Sequence, residues 1–345
     1  MSARAQSVCL LLPGLLQAVE QAAEAAALPA ISRLLSRAST ACPDVRTFEQ
    51  VALEWFNVRS TNDESAAAQL GHRIEFGQQN PSDPGQTLFR ADPVYQQIDL
   101  HSILLGDPGL LELSTDDAQA LIESLNRHLA GDGISLSCRA AQRWYLHASD
   151  KLELQSTPIT AAVGRNIAHT NAVGGDAGKW QKLLTECQMV LFDHPVNRQR
   201  ELAGKLPVNS LWLWGEGALP VFTPDGVTRK AYSGDFYVRS LADFTSATTA
   251  AIDKINFSAD TAVLIADRSL QTAVNTGDGP LRSRNLASLE QQVFQPLWRN
   301  LSSSRVRQVN LWTGRRWLQV NSRARRQFWR RTRPFETFLE SDNAE

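Results

Sequence analysis

The spacing of apolar residues along this chain switches repeatedly between runs, alternation and helical period, and the switches mark its elements. Residues 7–12 form an unbroken apolar run that predicts a buried strand, and Pro13-Gly14 predicts a turn. An Ala-rich stretch over 15–27, with Gln17, Glu20, Gln21 and Glu24 as a polar face, predicts a helix. That face and the interrupting Pro13-Gly14 argue against a secretory signal. Leu28-Pro29-Ala30-Ile31 is expected to break the helix. A second helix is expected over 31–39, with Ile31, Leu34 and Leu35 on one face. A third is expected over 47–57, where Val51, Leu53, Trp55 and Phe56 are available for burial. Residues 62–86, rich in Gly, Pro, Asn and Asp, read as a long loop or a domain junction.

From Thr87 the pattern shortens. Strands are expected over 88–95, 98–105 and 110–113. Ser114-Thr115-Asp116-Asp117 then opens a helix, with a hydroxyl to cap it and carboxylates where the helix dipole favours them. Ala118, Leu121, Ile122 and Leu125 form its apolar face, and Gly131-Asp132-Gly133 ends it. Residues 134–138 and 143–147 alternate like paired strands, so 87–150 reads as a compact α+β unit set between 1–86 and 151–345. Further on, a loop is expected around Gly174-Gly175-Asp176 and a helix over 179–192. Residues 226–254 mix turns with a short helix, and Ala262–Ala266 is a buried strand with Asp267 at its C-terminal end. A polar loop is expected over 275–284 and a helix over 286–300 with Leu286, Leu289, Val293 and Leu297 aligned. A hairpin is expected over 306–311 and 317–320, turning at Thr313-Gly314. No internal repeat is visible.

Composition adds bounds. The 345 residues are 43% hydrophobic and 21% charged with a net charge of −1, the values of an ordinary globular protein with room for two domains. Such a balance implies no polyanionic partner overall, yet residues 305–333 hold ten arginines, no lysine and no acidic residue. Aromatic residues interleave with Arg323, Arg325, Arg326, Arg330 and Arg331, but no nucleic-acid motif accompanies them, so nucleic acid is not the expected partner. Cys9, Cys42, Cys138 and Cys187 form no C-x-x-C pair and lie at no zinc spacing, as expected of buried thiols in a reducing cytoplasm. No apolar run approaches a membrane span.

The densest chemistry lies in 193–217. His194, Asn197, Arg200, Lys205 and Asn209 precede Trp212, Trp214, Gly215 and Gly217, a buried strand breaking into a glycine-permitted loop. Arg200 and Lys205 offer charged donors, Asn197 and Asn209 offer amides, and the Gly215–Gly217 loop offers backbone N–H groups, which together would suit a phosphate or carboxylate. The other reading is structural: Asn209 and His194 satisfy buried backbone around a Trp-rich core while Arg200 and Lys205 face solvent. Asp92-Pro93 is either a substrate-facing acid or a turn cap, and one of Trp212 and Trp214 is core while the other is free to stack on a ligand. His72, His101, His128, His147 and His169 have no mutual metal-ligand spacing.

The block Asp193-His194-Pro195-Val196-Asn197 through Arg200, Gly204-Lys205 and Asn209-Ser210-Leu211-Trp212-Leu213-Trp214-Gly215-Glu216-Gly217 resembles the archaeal-type cofactor-independent phosphoglycerate mutases of the alkaline-phosphatase superfamily. So do Phe89-Arg90-Ala91-Asp92 with Ser114–Asn126, and the late helix around Leu289-Glu290. Arg143-Trp144-Tyr145-Leu146 and Phe328-Trp329-Arg330-Arg331 look closer still to a bacterial branch of RpfE-type regulatory proteins. The resemblance implies an α/β fold, an alkaline-phosphatase-like central sheet flanked by helices with a small α+β inserted domain. It also implies a phosphoserine and two divalent metals gathered by Asp and His at strand ends. Pro13 stands where the first Asp ligand would be. Residues 41–59 contain no serine, and no histidine follows His194.

The resulting expectation is a catalytically degenerate relative, a cytoplasmic regulatory or interaction protein with a protein partner, which needs no metal or cofactor and retains an anion site for a phosphorylated or carboxylated small molecule. Two alternatives stand beside it. One is an active metal-dependent phosphomutase or phosphotransferase with a rearranged site. The other is a basic C-terminal region that binds nucleic acid or an acidic partner.

Overall fold

The computed structural model describes residues 6–19, 27–60, 65–77, 87–99, 102–167, 172–257, 261–323 and 330–340. The chain forms two compact units, one from residues 1–58 and 222–345, the other from Arg59–Val221. The second unit therefore extends beyond the 87–150 stretch marked by the sequence pattern.

The first unit is built on a seven-stranded sheet. Its order is Thr248–Ala250, Arg229–Tyr232, Ala262–Ala266, Gln6–Leu11, Val306–Trp312, Arg316–Asn321 and Ser39–Pro43. The first five strands run parallel, and the last two are added antiparallel. Gln6–Leu11 lies at the centre, with Cys9 opposite Leu264 on one side and Asn310 on the other. A parallel strand covered on both faces must be apolar throughout, and Val8, Leu10 and Leu11 are fully buried. Burial also pushes the Cys9 thiol up to about 12, so it remains protonated.

Helix Pro29–Arg37 begins at the proline expected to break a helix, because proline lacks only an N–H that the first turn does not use. Its N-cap residue, Leu28, has no capping side chain. Buried Glu290 supplies the cap from 260 residues away, accepting the N–H groups of Ala30 at 2.8 Å and Ile31 at 3.0 Å. Glu290 opens a π-helical turn, Glu290–Phe294, between helices Gly279–Leu289 and Gln295–Ser302.

The second unit holds a four-stranded antiparallel sheet ordered Ile134–Ala140, Arg143–Ala148, Thr87–Val94 and Ser210–Trp214. Phe89, Ala91, Trp144, Leu146, Leu211 and Leu213 pack with helices Thr115–Leu129 and Ala177–Phe192. Ser114 caps the first of these through the Asp117 N–H, as its sequence predicts.

Several expectations are corrected. Residues 62–86 are not all loop: Ala67–Phe76 is a helix, read poorly because its buried face is made of Ala67, Ala68 and Leu70 rather than long apolar side chains. The 98–105 strand is a small hairpin, Gln96–Ile98 with Ile103–Leu105, and 110–113 gives way to a 3₁₀ turn, Pro108–Leu111. The 275–284 loop is mostly helix: Ser269–Asn275 enters it, and Gly279–Leu289 starts where Asp278 caps the Leu281 N–H and Pro280 sits in the first turn. Residues 13–16 form a turn and Gln17 bridges to Glu340, while most of the Ala-rich stretch lies outside the described residues. No described helix is long and apolar enough to cross a membrane.

Replacing Glu290 with Leu leaves two N–H groups buried without acceptors. It is expected to cost about 2–4 kcal/mol in urea unfolding, with Glu290→Gln, which keeps one acceptor oxygen, costing less.

Candidate functional site

The conspicuous 193–217 block folds as helix Pro195–Leu202, a turn, and edge strand Ser210–Trp214. Its polar side chains hold this path together. Asn197, 2% exposed, donates to the carbonyls of Leu191 and Val208 at 2.7 Å each and accepts the Val208 N–H at 2.9 Å. Asn209 pairs with both backbone groups of Gln96 at 2.7 and 2.9 Å. Arg200 is buried, and its guanidinium donates to the carbonyls of Leu206, at 3.0 Å, and Leu111, with Asp117 at 3.3 Å. His194 caps the helix through the Val196 N–H and meets Ser124 at 3.0 Å. Lys205 is exposed, 3.8 Å from Glu112.

The expected anion cradle is thereby corrected. Asn197, Asn209 and Arg200 are engaged by backbone carbonyls and amides of different segments, at Leu191 and Val208, Gln96, and Leu206 and Leu111, so their donors do not converge on a common point. Arg200 does not face solvent either. Gly215 and Gly217 are needed for their positive φ of 75° and 122°. A Cβ on Gly215 would lie 2.9 Å from the Ala67 side chain, so the loop is packed against the Ala67–Phe76 helix.

Asp92 and Trp214 do come together. The Trp214 indole donates to Asp92 at 2.7 Å, Arg90 pairs with the same carboxylate, and the guanidinium lies over the Trp214 and Tyr145 rings. Asp92 is thus a buried structural acid, 2% exposed, rather than a turn cap. Beside it, Glu75 accepts from Tyr145 at 2.7 Å and from Arg143. His72 packs between Phe76, Tyr145 and His147 with a buried Nδ1 that has no hydrogen-bond partner among the described residues.

A second convergence lies in the first unit, at the C-terminal ends of the parallel strands, where open α/β sheets place their ligand sites. After Arg229–Tyr232, Ser233 donates to the Ala266 carbonyl at 2.7 Å and accepts the Asp235 N–H at 3.0 Å. Asp235 caps helix Phe236–Thr245. After Ala262–Ala266, Asp267 caps the Ser269 N–H, and Arg268 reaches Asp235 and, at 3.8 Å, Glu49. Glu49 is fully buried in the first turn of helix Phe48–Trp55, whose N-cap is Thr47. The Phe48 ring lies under Arg268, and burial, then Glu49 and Asp235, push the Tyr237 hydroxyl well above its ordinary value. At the central strand, Gly14 has φ +80°, and a Cβ there would meet the Gln271 backbone at 2.8 Å.

Glu49 and Asp235 were not singled out from sequence. Ser233-Gly234-Asp235 carried the usable signal, a small-residue turn and helix cap after a strand; Glu49 carried none. The residues at this edge do not fit a pair of divalent ions. The carboxylates of Glu49 and Asp235 already face a guanidinium, and among the described residues no group of three or more His, Cys, Asp and Glu could hold a metal ion.

The fold and this edge define a class: a mixed α/β protein with a central, mostly parallel sheet flanked by helices, its chain interrupted by an α+β unit. Its sequence relatives are 2,3-bisphosphoglycerate-independent phosphoglycerate mutases. The Methanosarcina barkeri enzyme is 35% identical over 114 residues, which cover 32% of this chain and 29% of the relative. The Methanosarcina mazei enzyme is 34% identical over 113 residues, 32% of this chain and 28% of the relative. A probable enzyme of this name from Geobacter sulfurreducens is 28% identical over 120 residues, 34% of this chain and 30% of the relative. The chain thus spans less than a third of the length of these relatives. Among solved structures, the cofactor-independent phosphoglycerate mutase of Thermoplasma acidophilum aligns over 98% of this chain and 96% of that chain, at 15% identity and TM-score 0.41. A Pyrococcus horikoshii protein aligns over 92% and 87%, at 11% identity and TM-score 0.48. No protein-family model matches the chain.

Arg200→Met, which removes the donors and keeps the apolar stem, is expected to destabilise the protein by about 2–4 kcal/mol in chemical unfolding, because the Leu111 carbonyl stays buried without its donor. A change below about 0.5 kcal/mol would show that Arg200 is free for other work.

The histidines set a pH dependence. Burial, helped by the neighbouring His147, pulls His72 down from 6.5 to about 4, and burial lowers His147. Between those values the unfolded chain binds more protons than the folded one. Stability from His72 is complete above about 6.5 and is lost as the pH falls toward about 4. Urea midpoints measured across that window should fall with pH, and His72→Leu should flatten the slope.

Proposed function

We propose that this protein is a catalytically degenerate relative of the cofactor-independent phosphoglycerate mutases that works as a regulatory or interaction protein, in the manner expected of the RpfE-type branch. The carrying observation is the pairing of Arg268 with Asp235 and Glu49 at the C-terminal edge of the parallel sheet. A guanidinium there neutralises, with a fixed charge, two of the carboxylates at this edge, so they are not free to hold a pair of divalent ions. Thr47, the only hydroxyl side chain in residues 41–59, accepts the Gln50 N–H as a helix cap. The homology over a third of the chain supports a common origin and is neutral on activity. An anion site at Arg200 is left out of this reading, because its guanidinium already holds two carbonyls and a carboxylate.

The test is conversion of 3-phosphoglycerate to 2-phosphoglycerate by the purified full-length chain, with and without added Mn²⁺, alongside calorimetric titration of Mn²⁺. The expected outcome is no metal-dependent turnover and no stoichiometric tight binding. Turnover that needs Mn²⁺ would overturn the reading in favour of an active phosphomutase with a rearranged site.

A further inference from the structure

The second unit contains a cavity of about 230 Å³ that neither the 193–217 side chains nor the sheet edge of the first unit explains. Helix Ala177–Phe192 contributes Trp180, Gln181, Leu184 and Gln188, one stripe at helical spacing, while Leu183, Cys187 and Leu191 of the same helix face the core. Edge strand Ser210–Trp214 contributes Trp212, the small hairpin contributes Gln96, and the Ser156-Thr157 segment closes a further side. Trp212 is fixed in place by its indole N–H, which donates to the Thr157 carbonyl at 2.9 Å.

Two features of this wall decide what it suits. First, no Asp, Glu, Lys, Arg or His is among the described residues that line it. A phosphate or carboxylate entering here would lose hydration with no opposite charge to meet it. Second, its hydrogen-bonding groups come from more than one segment: Gln181 and Gln188 from the helix, Gln96 from the small hairpin and Thr157 from the segment that closes a further side. Gln188 donates to Ser210 at 3.1 Å and to Gln96 at 3.5 Å, which leaves the Gln188 carbonyl oxygen and the Gln96 NH₂ without a protein partner among the described residues. The Gln181 amide and the Thr157 hydroxyl likewise have no side-chain partner there. Ser156 differs, since its hydroxyl donates to Glu216. Amides and a hydroxyl can each meet a hydroxyl as donor or acceptor. Trp180, Trp212 and Leu184 supply apolar surface between them. At ~30 Å³ per water, the space equals roughly eight waters, which is room for a single six-membered ring with its substituents.

We propose that this cavity is a binding site for a neutral, polyhydroxylated ring of monosaccharide size. A hydroxylated ring carries donors and acceptors around its whole circumference, matching amides that come from separate elements, and its C–H surface matches the indoles. The inference stands apart from the degenerate-mutase reading: it uses no residue of the parallel-sheet edge and would survive discovery of metal-dependent turnover.

The experiment is ligand-observed saturation-transfer NMR with titration, using the full-length protein and four neutral probes: glucose, galactose, N-acetylglucosamine and myo-inositol. Glucose 6-phosphate and gluconate are the charged counterparts. At least one neutral probe is expected to bind saturably, with the charged counterparts about tenfold weaker or absent. Gln181→Leu removes an amide at an exposed helix position and is expected to weaken that probe about tenfold. Leu184→Trp fills the cavity and is expected to abolish binding, with unfolding midpoints confirming that both variants fold. The proposal is overturned if none of the four neutral probes saturates. It is equally overturned if glucose 6-phosphate binds as well as glucose, or if both folded variants keep wild-type affinity.

Discussion

The strand Gln6–Leu11 has to be dry on both faces and hydrogen-bonded on both edges, and much of the first unit follows from that. Its neighbours Ala262–Ala266 and Val306–Trp312 both run parallel to it; the first is apolar throughout, and the second buries Val306, Val309, Leu311 and Trp312. Parallel strands require crossovers, and the crossovers supply helices that cover the faces. Ser233, Asp235, Asp267 and Arg268 gather at the C-terminal edge, just past the strands Arg229–Tyr232 and Ala262–Ala266. The turn at Gly14 is held close by the Gln271 backbone, so the central strand contributes no side chain from that glycine to this edge.

Buried charge in this protein is consistently answered by backbone or by opposite charge. Glu290 faces the N–H groups at the start of helix Pro29–Arg37, Arg200 faces carbonyls, and Arg268 faces two carboxylates. Removing one partner leaves the other desolvated and unmet, which costs more than the pair contributes. Such residues look functional in a sequence because they are polar amid apolar neighbours. Their partners show that they maintain the path of the chain. The Asn197 amide, bonded to Leu191 and to both backbone groups of Val208, is the plainest case.

What could be read from sequence was local. The apolar run of the first strand, the Ser114 cap, the hairpin of Val306–Trp312 with Arg316–Asn321, and the buried Trp212–Trp214 strand all carry their signals within a few residues. What could not be read was either quiet or distant. Helix Ala67–Phe76 is quiet, since alanines suited to close packing against Gly215 do not print an amphipathic stripe. The Glu290 cap is distant, spanning 260 residues, and the meeting of Glu49, Asp235 and Arg268 joins three segments with no shared sequence pattern. The polarity of 193–217 was legible and its purpose was not, because a donor that serves a ligand and one that serves a turn have the same residue type.

The same distinction separates the sheet edge of the first unit from the cavity of the second. At the sheet edge, Arg268 and the carboxylates satisfy one another, so a ligand there must break an ion pair before forming a contact. In the cavity beside helix Ala177–Phe192, the amides of Gln96, Gln181 and Gln188 retain hydrogen-bonding capacity that the protein does not use. A site is better recognised by such residual capacity than by charge density, since only the surplus of new interactions over those given up appears as affinity. By that criterion the guanidinium groups of Arg268 and Arg200 are already engaged, whereas the wall of glutamine and tryptophan keeps capacity for recognition.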